Sequence, residues 1–237
     1  MLPHFAAAEP FPHLVLDDFA PEATLRAVAA AFDEVSDDAW VRYDDLDERG
    51  KRACNKLEAM PAACRDFLSM LTSPSAAAIC QWLTGIDGVV SDPSLYGGGL
   101  HMTEPGGFLG VHLDNERHPT TGLARRLNLI VYCTDWSAIG GWQDDRGGHL
   151  ELWDRACSRV VKRIAPLFNR AVLFETSQHS FHGHTQPLAC PAGLSRKSVA
   201  IYYWSAFRSR ARFFARPGET PDAANEAARL ARSGDAT

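Results

Sequence analysis

The spacing of apolar residues changes character once along the chain. In the first third, Leu25, Val28, Ala29, Phe32 and Val35 recur at helical intervals and mark one buried stripe. Pro21 precedes them at a position where a first helical turn tolerates a missing N–H. Two further helices are predicted at Pro61–Leu71 and Ser75–Leu83, the second capped by Ser73 or Ser75. Residues 36–56 between them are polar and charged but contain Trp40 and Tyr43, which predicts an ordered excursion rather than a linker. From Leu95 onward, short β-rich runs are punctuated by Gly, Pro and Asn, the pattern of a closed or sandwiched antiparallel sheet. Strands are predicted at Leu95–Thr103, Phe108–Leu113, Arg126–Cys133, His149–Trp153, Arg159–Ile164, Ala171–Glu175, Ser180–Thr185 and Lys197–Ser205. The expected architecture is mainly β with a helical N-terminal layer, its sheet wound as a double-stranded β-helix, or jelly roll. Residues 1–90 form a helical buttress within the same domain as a β core over 91–210. An Ala-rich polar tail over 211–237 is expected to form a short helix or fray.

Composition narrows the partners more than the fold. A formal net charge of -5 carries no basic excess of the kind a nucleic-acid footprint needs. No apolar run is long enough to span a membrane, and the N-terminus lacks a charged-then-apolar secretory signal. The six cysteines, Cys54, Cys64, Cys80, Cys133, Cys157 and Cys190, form no CxxC pair. They read as reduced thiols in a cytoplasmic protein rather than a disulfide framework or a zinc site.

The chemistry centres on Gly106-Gly107-Phe108-Leu109-Gly110-Val111-His112-Leu113-Asp114. Alternate residues of a strand share a face, so His112 and Asp114 project together, as two ligands of a 2-His-1-carboxylate ferrous site do. His-x-Asp alone is weak and needs a third ligand downstream. His179, His182 and His184 are the candidates, with 182 and 184 on one face by parity; His182 is chosen because it follows Phe181 and precedes Gly183, whose lack of a side chain allows close approach to a site. His101, His118, His149, His179 and His184 read as structural, with His101 the least secure of them. Three protein ligands leave three positions of an octahedral ion open for other groups. On the last strand Arg196 and Ser198 share a face, and a guanidinium with a hydroxyl is a ready anchor for an organic acid.

Taken in order, these motifs resemble the prolyl-hydroxylase-like branch of the Fe(II)/2-oxoglutarate dioxygenases. The resemblance runs from about Tyr96 to Ser205 through Gly97–His101, Gly106–Asp114, Arg125–Tyr132, Gly147–Trp153, Asn169–Thr176, Ser180–Gly183 and Arg196–Ser198. It implies Fe(II) held by His112, Asp114 and His182. It also implies 2-oxoglutarate held through its distal carboxylate by Arg196, with Ser198 and Tyr132; Tyr132 reads equally well as a core aromatic. Dioxygen is the co-reactant, and the implied activity is hydroxylation of an aliphatic C–H with release of succinate and carbon dioxide. The substrate is a prolyl, amino-acid or other small-molecule or peptidyl compound. Asp114 is intact, where halogenating relatives lack the carboxylate, which favours hydroxylation. The alternatives are desaturation or epimerisation with the same cofactors, and an iron-binding sensing module without turnover. Residues 136–148, with Trp142 and two Gly pairs, suit either a lid or a plain surface excursion.

Overall fold

The computed structural model describes residues 3–206; the expected C-terminal tail lies outside the described residues. Eleven strands are described: β1 (His13–Leu16), β2 (Val41–Tyr43), β3 (Glu48–Cys54), β4 (Val90–Ser91), β5 (Gly99–His112), β6 (Ala124–Tyr132), β7 (Leu150–Trp153), β8 (Val160–Ile164), β9 (Ala171–Glu175), β10 (His182–His184) and β11 (Arg196–Ser205). The helices are α1 (Pro3–Ala6), α2 (Glu22–Ala31), α3 (Ala62–Leu71) and α4 (Pro74–Thr84). Neighbouring strands run in the order β1-β9-β6-β11-β5-β10-β7-β8, and the pairings are antiparallel. The sheet is curled and wound as a double-stranded β-helix, as the sequence pattern predicts.

Alternation along the strands divides the interior in two. On β6, Leu127, Leu129 and Val131 face the helices, and on β11 Val199, Ile201 and Tyr203 do the same. They pack with Leu25, Val28, Phe67, Leu68 and Leu71 in one cluster, so the N-terminal helices cover one face of the sheet. The intervening residues point into the curl, where Tyr132 and Ile130 meet Leu150, Leu152, Val172 and Phe174. The helices end as their sequences direct. Ser73 caps α4 by accepting a hydrogen bond from the Ala76 amide at 3.1 Å, and Gly85 closes it in the left-handed region at φ 68°.

Two expectations about strands are corrected. The separate strands expected at Leu95–Thr103 and Phe108–Leu113 are one strand, β5, beginning only at Gly99. Pro105 and Gly106 do interrupt one edge: β11 pairs up to Thr103, the Leu188 backbone bonds to Gly106 and Gly107, and β10 then takes over. The opposite edge carries β3 across both halves, from Cys54↔Leu100 to Glu48↔Leu109, and this keeps the strand continuous. The ordered excursion expected at 36–56 therefore contains the hairpin β2–β3, which lacks an apolar alternation because little of it is buried.

Candidate metal and cosubstrate site

His112 ends β5 and His182 begins β10, and the two are direct partners across the strand pair. Such pairing brings side chains on one face together, and the imidazole centroids lie 4.3 Å apart. The close approach of the strands depends on Gly183, where a Cβ would meet the Gly110 carbonyl oxygen at 2.8 Å. Asp114 lies two residues past His112, just beyond the strand end, with its side chain only 6% exposed. One nitrogen from each histidine and one carboxylate oxygen all fall within 4.8 Å of one another.

Hydrogen bonds set which atoms face that common point. His112 Nδ1 donates to the Gly110 carbonyl at 3.0 Å, and His182 Nδ1 donates to the Ser180 carbonyl at 2.9 Å. A carbonyl only accepts, so each proton sits on Nδ1 and each Nε2 keeps a free lone pair. Asp114 Oδ2 accepts from Asn128 Nδ2 at 3.0 Å, while Oδ1 accepts from the Tyr202 hydroxyl and lies 3.2 Å from Arg125 Nη1. Arg125 is buried with its guanidinium over the rings of Tyr202 and Trp204, at 3.7 and 4.8 Å. Burial alone would raise the Asp114 carboxyl, but His182, Arg125, His112 and the Asn128 amide hold it below the ordinary range. Burial and the neighbouring His112 lower His182 to about 4, so at neutral pH its 3.8 Å contact with Asp114 is not an ion pair. Two imidazoles, each with Nδ1 bonded to a backbone carbonyl, and one carboxylate are a donor set that fits Fe(II).

Beside this cluster a narrow cavity runs into the curl towards Arg196. Strand register builds its walls. Ser198 on β11 is the direct partner of Tyr132 on β6 and of His101 on β5. Arg196 is buried; its Nε donates to the Gly148 carbonyl at 2.8 Å and its Nη2 to the Tyr132 hydroxyl at 3.1 Å. Gly148 itself, at φ 71°, presses so closely on Arg196 that a Cβ there would lie 3.2 Å from Arg196 Cδ. Arg196 and Ser198 thus line the same cavity as His112 and His182, while Tyr132 is fully buried and held against the Arg196 guanidinium. Burial raises the Tyr132 phenol despite the opposing pull of Arg196, so the hydroxyl stays protonated and can donate.

Residues 98–204, just under half of the chain, match the family model of the 2OG-Fe(II) oxygenase superfamily. Over that stretch the chain is similar to that superfamily. Its cofactors are Fe(II) and 2-oxoglutarate. Solved structures agree on the fold. A prolyl-4-hydroxylase from Pseudomonas putida is 18% identical, with 82% of this chain and 93% of that chain covered and a TM-score of 0.59. HygX from Streptomyces hygroscopicus, solved with nickel, 2-oxoglutarate and hygromycin B bound, is 12% identical over 82% of this chain and 83% of that chain, at a TM-score of 0.54. The carbocyclase SnoK from nogalamycin biosynthesis is 15% identical over 82% and 79%, at 0.55. No curated protein sequence matches the chain.

The remaining candidates fall to different places. His184 is buried 3.5 Å from Thr103 Oγ1, His118 bonds Asp92 at 3.2 Å, His149 lies 3.4 Å from Asp144, and His179 meets Arg155 at 2.7 Å. His101, read as structural from sequence, lines both the inner cavity and an outer cleft, with its Nε2 buried and unpartnered. Sequence reasoning offers Arg125 only as a substrate contact or a surface residue and does not single out Tyr202; the structure has both holding Asp114. The usable signal was position: Tyr202 continues the Arg196, Ser198 alternation, and Arg125 sits one residue into the strand that carries Asn128 and Tyr132.

Proposed function

We propose that this oxygenase hydroxylates an aliphatic C–H of a small-molecule or peptidyl substrate, with His112, Asp114 and His182 as the iron ligands. The observation that carries the reading is the convergence of one imidazole nitrogen from each of two histidines and one carboxylate oxygen, with both histidines lining the cavity that Arg196 and Ser198 also line. Arg196 and the Tyr132 hydroxyl, with Ser198, take the distal carboxylate of 2-oxoglutarate, since a guanidinium pairs best with a planar acid. When bound, iron and 2-oxoglutarate supply the oxidising power, drawn from dioxygen and the decarboxylation of the keto acid to succinate. The protein's share is to hold and orient these groups and exclude water. Asn128, Tyr202 and Arg125 fix the Asp114 carboxylate, and Ile130 and Leu150 give the inner cavity an apolar wall.

The substrate meets the site from the outer cleft of about 650 Å³, which reaches His112 and Asp114 and is rimmed by Tyr43, Tyr96, Asn115 and Tyr202. The intact carboxylate ligand favours hydroxylation over halogenation. Cyclisation, desaturation or epimerisation uses the same residues, and product analysis separates them. The six unpaired cysteines support a reducing, cytoplasmic setting.

The test is incubation with Fe(II), 2-oxoglutarate and dioxygen against panels of amino acids, prolyl peptides and polar metabolites, following succinate and product mass. The expected result is substrate-dependent succinate with a product heavier by one oxygen atom. A product lacking added oxygen points to the other outcomes. Iron and 2-oxoglutarate binding with no succinate under any condition points to a sensing module.

A further inference from the structure

The inner cavity is lined by a second cationic side chain that the iron triad and Arg196 do not account for. Its lining holds two permanent cations, Arg196 and Lys51, and no Asp or Glu among the described residues. Lys51 belongs to β3, outside the residues that match the superfamily model. Register places it deliberately. Thr103 on β5 is the direct partner of Arg196 on one side and of Lys51 on the other. Direct partners share a face, so Lys51, Thr103 and Arg196 form one row across three strands, about 10 Å from end to end at two strand spacings.

Arg196 lines the inner cavity only, whereas Lys51 also lines the outer cleft together with His112 and Asp114. The Lys51 side chain is 17% exposed, and its ammonium lies 2.6 Å from Glu48 and 4.8 Å from the centre of the Tyr43 ring. An ammonium has three donors, and Glu48 accepts one of them. After burial itself, Lys51 and then Arg196 lower the His101 imidazole, which lines the same cavity.

We infer that Lys51 is a second cationic contact for the keto-acid cosubstrate, acting on the carboxylate nearer the metal while Arg196 takes the distal one. The inference rests on the reading of Arg196 given above. The β2–β3 hairpin thereby adds to the cosubstrate site a contact from outside residues 98–204. A cavity lined by two cations favours a dianion, and 2-oxoglutarate is one.

Calorimetry on full-length protein loaded with Mn(II), without substrate, separates these roles. The ligands are 2-oxoglutarate and 2-oxopentanoate, which lacks the distal carboxylate. Lys51→Met is expected to weaken both ligands by a similar factor, roughly tenfold for one charge-assisted hydrogen bond, with Mn(II) affinity unchanged. Lys51→Arg restores most of the loss. Arg196→Leu weakens 2-oxoglutarate alone. Unchanged 2-oxoglutarate affinity in Lys51→Met, with the Arg196→Leu loss present, overturns the inference. So does a Lys51→Met loss confined to 2-oxoglutarate, which would move Lys51 to the distal carboxylate. If Arg196→Leu is also silent, the reading of the cavity as a 2-oxoglutarate site fails first. Should Lys51→Met fold poorly, Lys51→Gln serves in its place.

Discussion

Asp114 meets its surroundings through two unlike oxygens. Oδ1 is taken by the Tyr202 hydroxyl and Arg125, whereas Oδ2 carries the Asn128 bond and is the oxygen 3.8 Å from His182 Nε2. Oδ2 is therefore the oxygen positioned to ligate. Asn128→Leu removes its orienting donor and is expected to weaken Fe(II) or Mn(II) binding by about 10–100-fold without unfolding the protein; a metal titration reads this, and wild-type affinity would count against the role. Asp114→Ala or His182→Ala should abolish tight ferrous binding, and retention of it in either variant refutes the ligand set. Arg196→Leu is expected to cost 2-oxoglutarate about 1.5–3 kcal/mol while iron stays bound, as measured by calorimetry. Lys197, the neighbouring cation in sequence, is no substitute anchor, because its ammonium is committed to Asp33 and the Ala29 carbonyl on the helix side of the sheet. Sequence alternation already separates residues 196 and 197 in this way. It does not reveal which buried groups flank Asp114, since Arg125, Asn128 and Tyr202 are brought there by three-dimensional packing.

At the scale of elements, the site depends on how closely β10 lies against β5. Gly183→Val places a branched side chain where even a Cβ meets the Gly110 oxygen at 2.8 Å. The expected result is a loss of about 1–3 kcal/mol in stability together with weaker metal binding, because the strand carrying His182 is displaced. Thermal melts with and without Mn(II) distinguish the two effects. A helix cap gives the contrast: Ser73→Ala should cost about 1 kcal/mol and leave metal affinity alone, since α4 lies on the other side of the sheet's core. The helices and most strands were legible because each buries one face and so shows its period. The β2–β3 hairpin was not. Only Cys54 of its residues is fully buried, so tertiary pairing with β5, rather than burial, makes it a strand.

For the whole molecule, the buried imidazoles tie stability to pH. His182 is lowered to about 4 and His101 to about 3, in both cases first by burial, from an ordinary value of 6.5. The unfolded chain therefore binds protons near pH 6.5 that the folded chain does not accept until about pH 4 or below. The stability present above pH 6.5 is accordingly lost as pH falls through that window. The metal-free protein should show a melting temperature that declines between pH 6.5 and 4, with a shallower decline for His101→Phe; a flat profile in the wild type would contradict the assignment of neutral buried histidines. The linear pattern of residues determined the β-helix, the helical layer on one of its faces, and the residues His112, Asp114, His182, Arg196 and Ser198 as candidates, because period and parity are local properties written into the chain. Tertiary structure alone decided that Asn128, Tyr202 and Arg125 hold the carboxylate, that Tyr132 bonds Arg196 rather than merely filling the core, and that Lys51 joins the same row as Arg196. Those relations arise from register between strands far apart in sequence, and the intervening chain length carries no information about register.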